Sequence, residues 1–376
     1  MKQKIIVIGA GVIGSALASE LTRRGAAVTV IDAAEVGSGT SSATFAWINA
    51  NDKAPHEYGY LNYLGLQAHE RAAARGGRWF HQTGMIQVAQ TEDEAAGYEQ
   101  NIARVSWEGY GARRLTRAEV LDLEPALDPT RPVSGVFYPK EGWVDVQTMC
   151  LSLIDRALED GATFSPFETV TGIKGTRVTT ASVDGATKTY DGDLVILASG
   201  NGNRKILRSI DIDFPVLDPE GNVDSIGTPA SSLGIISTTG RVASGIRHFV
   251  RANGIALRPA RNGGITFADH PTGGSWAPGD PGVWSVPEVL LERARQLYPS
   301  LTKTTTESVS LGTRVLPEDG LTIADWVTND HSIYAVATHS GVTLAAHLAE
   351  TVAEEVLSGR RHDSLEPFGL SRFATA

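Results

Sequence analysis

Ile5-Ile6-Val7-Ile8-Gly9-Ala10-Gly11-Val12-Ile13-Gly14 is the stretch that decides the fold. Four apolar residues in a row suit a parallel strand covered on both faces. The glycines break that strand, and a helical pattern then runs through Ala18, Leu21 and Arg24 to a stop at Gly25. Val28-Thr29-Val30-Ile31 forms a second strand, closed by Asp32. This is β-turn-α-β in one piece, the unit of a doubly wound α/β fold that takes a dinucleotide.

Each glycine has a physical task in that unit. Gly9 permits the tight turn, Gly11 lets the backbone approach a pyrophosphate, and Gly14 lets helix and strand pack closely. Val12 and Ile13 open the helix, whose free N–H groups and positive dipole end face the phosphates. Asp32, with Ala33 beside it, is placed to accept from a ribose 2′-hydroxyl, and an acid there repels a 2′-phosphate, which disfavours NADP. NAD and FAD both satisfy this unit, so the choice between them comes from the rest of the chain.

Three later pieces make that choice. Gly37-Ser38-Gly39-Thr40-Ser41-Ser42-Ala43 follows Asp32 with no further strand-helix repeat. Asp193-Leu194-Val195-Ile196-Leu197-Ala198-Ser199-Gly200 is a buried strand ending in a glycine turn. Ile333-Tyr334-Ala335-Val336-Ala337-Thr338-His339-Ser340-Gly341-Val342-Thr343 leads into a helix from about Leu344 to Leu357. In this order the pieces resemble the FAD-dependent amino-acid oxidase family, which includes D-amino-acid oxidase, glycine oxidase, sarcosine oxidase and D-amino-acid dehydrogenase. The resemblance implies non-covalent FAD, with Thr40, Ser41 and Ser42 near its phosphates and ring, and Val170 touching the adenine through its backbone. It places Ala198, Ser199 and Gly200 beside the pyrophosphate, and His339, Ser340, Gly341, Val342 and Thr343 beside the flavin. Thr338 departs from the family pattern, which has glycine before this histidine.

The resemblance also implies a Rossmann-type FAD domain in separated segments, 1–79, 141–215 and 315–376. A β-rich α+β substrate domain takes 80–140 and 216–314, where Gly84–Ala89, Ser134–Pro139 and Gly264–Asp269 alternate as strands do. Tyr58–Arg75 and Glu92–Tyr110 read as helices.

The implied reaction oxidises the Cα–N bond of a small or N-substituted amino acid by hydride transfer to flavin N5. Water hydrolyses the resulting imine, and oxygen or another acceptor takes the electrons. The protein must then clamp a carboxylate, for which a planar guanidinium is suited. Gly312-Thr313-Arg314-Val315-Leu316-Pro317-Glu318-Asp319-Gly320 is similar to the family segment whose arginine does this, with Val315 where proline is usual. Arg258, in Ile255-Ala256-Leu257-Arg258-Pro259, is a second candidate; pointed inward, it would hold a second carboxylate, as in iminodiacetate. Its other reading is a solvated strand arginine. His248, His270 and Trp47 are further candidate pocket residues, and Asn49 lies close by in sequence. No flavin-side lysine stands out.

The same clamp serves a 2-hydroxy acid, so that oxidation is the competing enzymatic reading. A flavin-binding scaffold subunit and an NAD-dependent dehydrogenase are the others. With 33 basic and 43 acidic residues the formal charge is −10, which disfavours nucleic acid or an anionic membrane as partner. The nine histidines show no ligand spacing with acids or cysteine, so no metal is expected. The single cysteine, Cys150, sits in an amphipathic helical pattern and reads as a small buried hydrophobe. Met1-Lys2-Gln3-Lys4 runs straight into the first strand without a signal-peptide pattern, and the expected compartment is the cytoplasm.

Overall fold

The computed structural model describes residues 2–218, 233–268 and 279–373. The strand Lys4–Ile8 lies inside a six-stranded sheet, with Ala27–Ile31 and Thr163–Ser165 on one side. On its other side lie Leu194–Leu197, Ile333–Ala337 and the edge strand Ile323–Trp326. All neighbours run parallel except the edge pair. Ile5 registers with Val28 on one side and Leu194 on the other.

Side chains alternate across a strand, and the first strand uses both faces. Ile5 and Val7 join the core formed with the helices, whereas Ile6 and Ile8 join the opposite core. On the first face the helix Val12–Arg23 packs between Val146–Glu159 and Gly341–Ser358. Leu17 and Leu21 are fully buried there, each contributing roughly 1.5–3 kcal/mol of transfer free energy. The opposite face carries an antiparallel three-stranded meander, Glu168–Lys174, Arg177–Ser182 and Thr187–Asp191.

A second sheet has eight strands. In spatial order they are 306–313, 233–239, 265–268, 255–259, 249–252, 85–89, 134–138 and 113–116, and only the pair 249–252 with 85–89 is parallel. The helix Val286–Leu297 packs its Leu290, Leu291, Ala294 and Leu297 against this sheet. A small sheet of 47–48, 142–144 and 80–81 ties the first serine-rich loop to the middle of the chain.

The two long helices read from the sequence are His56–Ala74 and Glu92–Arg104. The second ends earlier than its pattern suggests, because Trp107 turns back to stack on Tyr63, ring centroids 5.5 Å apart, and Gly109 and Gly111 follow with positive φ. Cys150 is buried, and burial pushes its thiol up to about 12, in keeping with a packing role. Among the described residues no helix is long and apolar enough to cross a membrane, and no cluster of potential ligands forms a metal site.

Candidate functional site

One cavity of about 710 Å³ runs from Asp32 and Val170 at one end to Trp47 and Arg314 at the other. That volume is in the range of cofactor and substrate sites. Two helices begin on its wall, at Gly11–Ile13 and at Ser340–Thr343, and neither starts with a side-chain cap from its own first residue. Two positive dipole ends facing one cleft favour electron-rich ligand groups.

The glycines leave space in that wall. Gly9 has φ +107°, and a Cβ there would lie 2.5 Å from the Ala198 carbonyl oxygen. A Cβ on Gly14 would lie 1.8 Å from the Gly9 carbonyl oxygen, so this glycine is required for packing and does not itself line the cavity. Asp32 accepts from the Ala10 N–H at 2.6 Å and the Ala34 N–H at 2.8 Å, fixing the turn on which Ala33 faces the cleft. Burial raises the Asp32 pKa, against the lowering effect of those two donors. Val170 lies where the meander slips register: Val170 pairs with Thr180 but Gly172 with Thr179. Such a bulge takes backbone groups out of the ladder, and the cleft is beside them.

Thr40 and Ser41 line the cavity. The Thr40 hydroxyl donates to the Thr313 carbonyl at 2.7 Å, and the Ser41 hydroxyl accepts from the Val12 N–H at 3.0 Å. Ser42 corrects the sequence reading: it is exposed, outside the lining, with its hydroxyl donating to the Gly39 carbonyl at 2.8 Å. The 3₁₀ turn Gly39–Ala43 rotates it away. Ala198, Ser199 and Gly200 line the opposite wall. Thr338 holds the last turn through its side chain, hydrogen-bonding the Thr322 hydroxyl at 2.8 Å and accepting from the Ser340 N–H at 3.2 Å. His339 to Thr343 all reach the cleft.

Arg314 follows directly after the strand Thr306–Thr313, at the seam between the two large sheets. The Asn201 amide donates to its carbonyl at 3.4 Å, and a Cβ on Gly234 would lie 3.8 Å from its Nε. Val315, in the usual proline position, also lines the cavity and approaches Gly200. Trp47 belongs to both core and cleft. It is buried, lies 4.9 Å from Phe249 in a stacked pair, and donates its indole N–H to Glu141 at 3.0 Å.

Two candidates lie elsewhere. Arg258 is buried over the Trp143 ring at 4.6 Å and the Phe45 ring at 5.5 Å, with Nε donating to the Phe45 carbonyl at 2.9 Å. It is neither solvated nor part of the cavity lining. Its neighbours are aromatic faces and carbonyl oxygens, which satisfy a guanidinium without a carboxylate. His248 also stands off the cavity, because its N–H and its Nδ1 both meet the buried Glu124 carboxylate, at 2.7 and 2.8 Å. His270 lies outside the described residues.

Lys53 lines the cavity although no motif announces it. Its Nζ is 6.0 Å from the Tyr58 ring, and the Tyr58 hydroxyl hydrogen-bonds Ser340 at 2.8 Å. Asn49 lines the cleft as well, its N–H donating to the Thr343 hydroxyl at 3.3 Å. Beneath this segment Glu141 is fully buried and accepts from the Ala50 and Asn51 N–H groups, each at 3.1 Å. Burial, followed by the charges of Lys53 and Arg314, pushes His339 down to about 3, so its imidazole is neutral at physiological pH.

The family model described as "FAD dependent oxidoreductase" matches residues 4–355. The chain belongs to this family. It is similar to an opine oxidase polypeptide from Agrobacterium tumefaciens (strain Ach5), 25% identical over 98% of this chain and 96% of that protein. It also resembles two solved structures, each over 99% of this chain. Glycine oxidase from Geobacillus kaustophilus gives a TM-score of 0.80 at 21% identity, covering 99% of that chain. L-proline dehydrogenase from P. horikoshii gives 0.82 at 20%, covering 98%. FAD is the cofactor of this oxidoreductase, and the glycine cradle and paired helix starts fit it.

Proposed function

We propose that this FAD-dependent oxidoreductase oxidises the Cα–N bond of a small amino acid or N-substituted amino acid to an imine, which water then hydrolyses. Bound FAD supplies the two-electron acceptor, to be reoxidised by oxygen or another acceptor. The observation that carries the reading is a guanidinium, Arg314, on the wall of the same cavity that the two helix starts face. Gly9, Gly11, Val12 and Ile13 would hold the pyrophosphate with Ser41 and Ala198–Gly200, Asp32 and Val170 the adenosine, and His339–Thr343 the ring. We assign the cofactor to 1–79, 141–215 and 315–376, and the substrate wall to 80–140 and 216–314.

The residues at the Arg314 end do three things. Arg314 grips the carboxylate and so fixes which Cα substituent faces the ring. Phe45, Trp47, Ile235 and Ala268 give the pocket apolar walls and exclude water. A positive, poorly hydrated pocket disfavours an ammonium ion, so an amine binds there in its neutral, oxidisable form. His339, itself neutral, adds no charge to that balance. The names of the similar proteins, glycine oxidase and L-proline dehydrogenase among them, support an amine over a hydroxy acid.

The test is anaerobic titration of the flavoprotein with glycine, N-methylglycine, L-proline and D-alanine against glycolate and lactate. Loss of the flavin absorbance with amines is expected. Bleaching by hydroxy acids alone would replace the amine reading, and bleaching by neither would favour a non-catalytic flavin protein.

A further inference from the structure

We infer that the cavity reads two carboxylates on one amine, Arg314 holding one and the Lys53 ammonium the other. The substrate class is then an N-(carboxyalkyl) amino acid, a secondary amine with a carboxylate on each arm. This rests on the amine oxidation proposed above and narrows it.

The charges along the cleft divide by end. Among the described residues its acids are Asp32 and Glu168, and both sit at the meander end, where the Glu168 N–H donates to the Asp32 carbonyl at 2.9 Å. Lys205 belongs to that end too, since its helix, Gly202–Arg208, packs on the strand Glu168–Lys174. At the other end the charged lining residues are Lys53 and Arg314. Two cations lining one end suit a ligand with two negative groups, since a single carboxylate leaves net positive charge in a poorly hydrated pocket.

Lys53 is delivered to the cleft by a rigid segment. Thr343 fastens it at two points, accepting from the Asn49 N–H and donating to the Trp47 carbonyl at 3.2 Å. Glu141 fastens Ala50 and Asn51 from below. The preceding acid is turned away: Asp52 has φ +54°, meets Arg251 at 2.5 Å and accepts from Asn101 at 2.6 Å. Arg258, the alternative reader of a second carboxylate, is engaged with aromatic rings outside the cavity. A lysine is a compact point charge on a flexible stem, suited to arms of differing length, whereas Arg314 offers a planar fork for the α-carboxylate.

The holoenzyme tests this through the flavin spectrum, without turnover. Thiodiacetate carries two carboxylates with sulfur in place of the amine, and (methylthio)acetate carries one. Wild type is expected to bind thiodiacetate at least tenfold more tightly, Lys53→Met to lose that advantage, and Lys53→Arg to regain part of it. Equal affinities in wild type, or an advantage that survives in Lys53→Met, would overturn the inference. In turnover, the kcat/KM ratio of N-(carboxymethyl)glycine to N-methylglycine should fall at least tenfold in Lys53→Met. An unchanged ratio with slowed reoxidation by oxygen would assign Lys53 to the electron acceptor and overturn the inference as well. Bleaching by simple amines with no diacid preference sinks the two-carboxylate pocket alone. A diacid preference without bleaching by any amine sinks the oxidation chemistry alone.

Discussion

Trp47 donates its indole N–H to the fully buried carboxylate of Glu141 at 3.0 Å, and the Tyr110 hydroxyl and Asn51 amide converge on that same carboxylate. Five groups donate to one side chain, so the cavity segment 47–51 hangs from an acid that is not in the cavity. Glu141→Gln replaces an acceptor oxygen by an NH2 that faces other donors. A stability loss of about 1–3 kcal/mol is expected, read as a lower urea midpoint, together with a lower flavin-to-protein ratio. An unchanged midpoint would show that the segment does not depend on this carboxylate.

Gly14→Ala should abolish flavin retention with little change in the second sheet. The added Cβ would meet the Gly9 carbonyl at 1.8 Å, and only separation of helix from turn relieves that contact. Absorbance at the flavin band relative to protein in the purified variant gives the answer, and a yellow, stoichiometric variant would refute it.

Arg314→Ala should raise the KM for amino-acid substrates by about two orders of magnitude, the equivalent of roughly 2–3 kcal/mol for a lost charge-assisted pair. Arg314→Lys keeps the charge and loses the fork, so its KM should fall between the two. An alanine variant with wild-type affinity would take Arg314 out of the site.

Arg258 is expected to act through packing. Burial pushes its guanidinium down to about 10, and aromatic faces surround it. Arg258→Ala should destabilise the fold by about 2 kcal/mol, from lost cation–π contact and packing. It should leave the selectivity between one-carboxylate and two-carboxylate amines in place. A changed selectivity at unchanged stability would return Arg258 to substrate recognition.

A buried histidine sets part of the acid sensitivity. Burial, followed by the nearby His362 and Arg71, pushes His347 from 6.5 down to about 4. The unfolded chain therefore binds more protons than the folded one between those values, and stability falls as pH drops through that window. Chemical denaturation at pH 7 and pH 5 should show His347→Gln losing on the order of 1–2 kcal/mol less than wild type over that interval. Equal losses would mean that His347 is not held neutral.

The sequence disclosed what depends on local chemistry. Gly9, Gly11 and Gly14 between two apolar strands state a backbone requirement, and the cofactor wall follows from it. Arg314 was legible because it sits in a motif. Arg258 was not, because a strand arginine reads the same whether it faces solvent, ligand or rings, and Trp143 and Phe45 meet it only through tertiary packing. Ser42 was misplaced for a similar reason, since three consecutive hydroxyl residues cannot all face one way on a 3₁₀ turn. Lys53 and Glu141 carry no local pattern; they matter through elements nearly three hundred and about ninety residues distant in sequence.

The sheet order places Lys4–Ile8 between strands made early and strands made late, and the helix Gly341–Ser358 lies against the first helix. During synthesis the opening segment therefore waits for the closing one. A ribosome still holding the final helix exposes a groove with one wall missing, and the vitamin-derived cofactor has no finished seat until the chain is nearly released. Capture of FAD belongs to the end of folding, which makes cofactor supply a checkpoint on finished molecules.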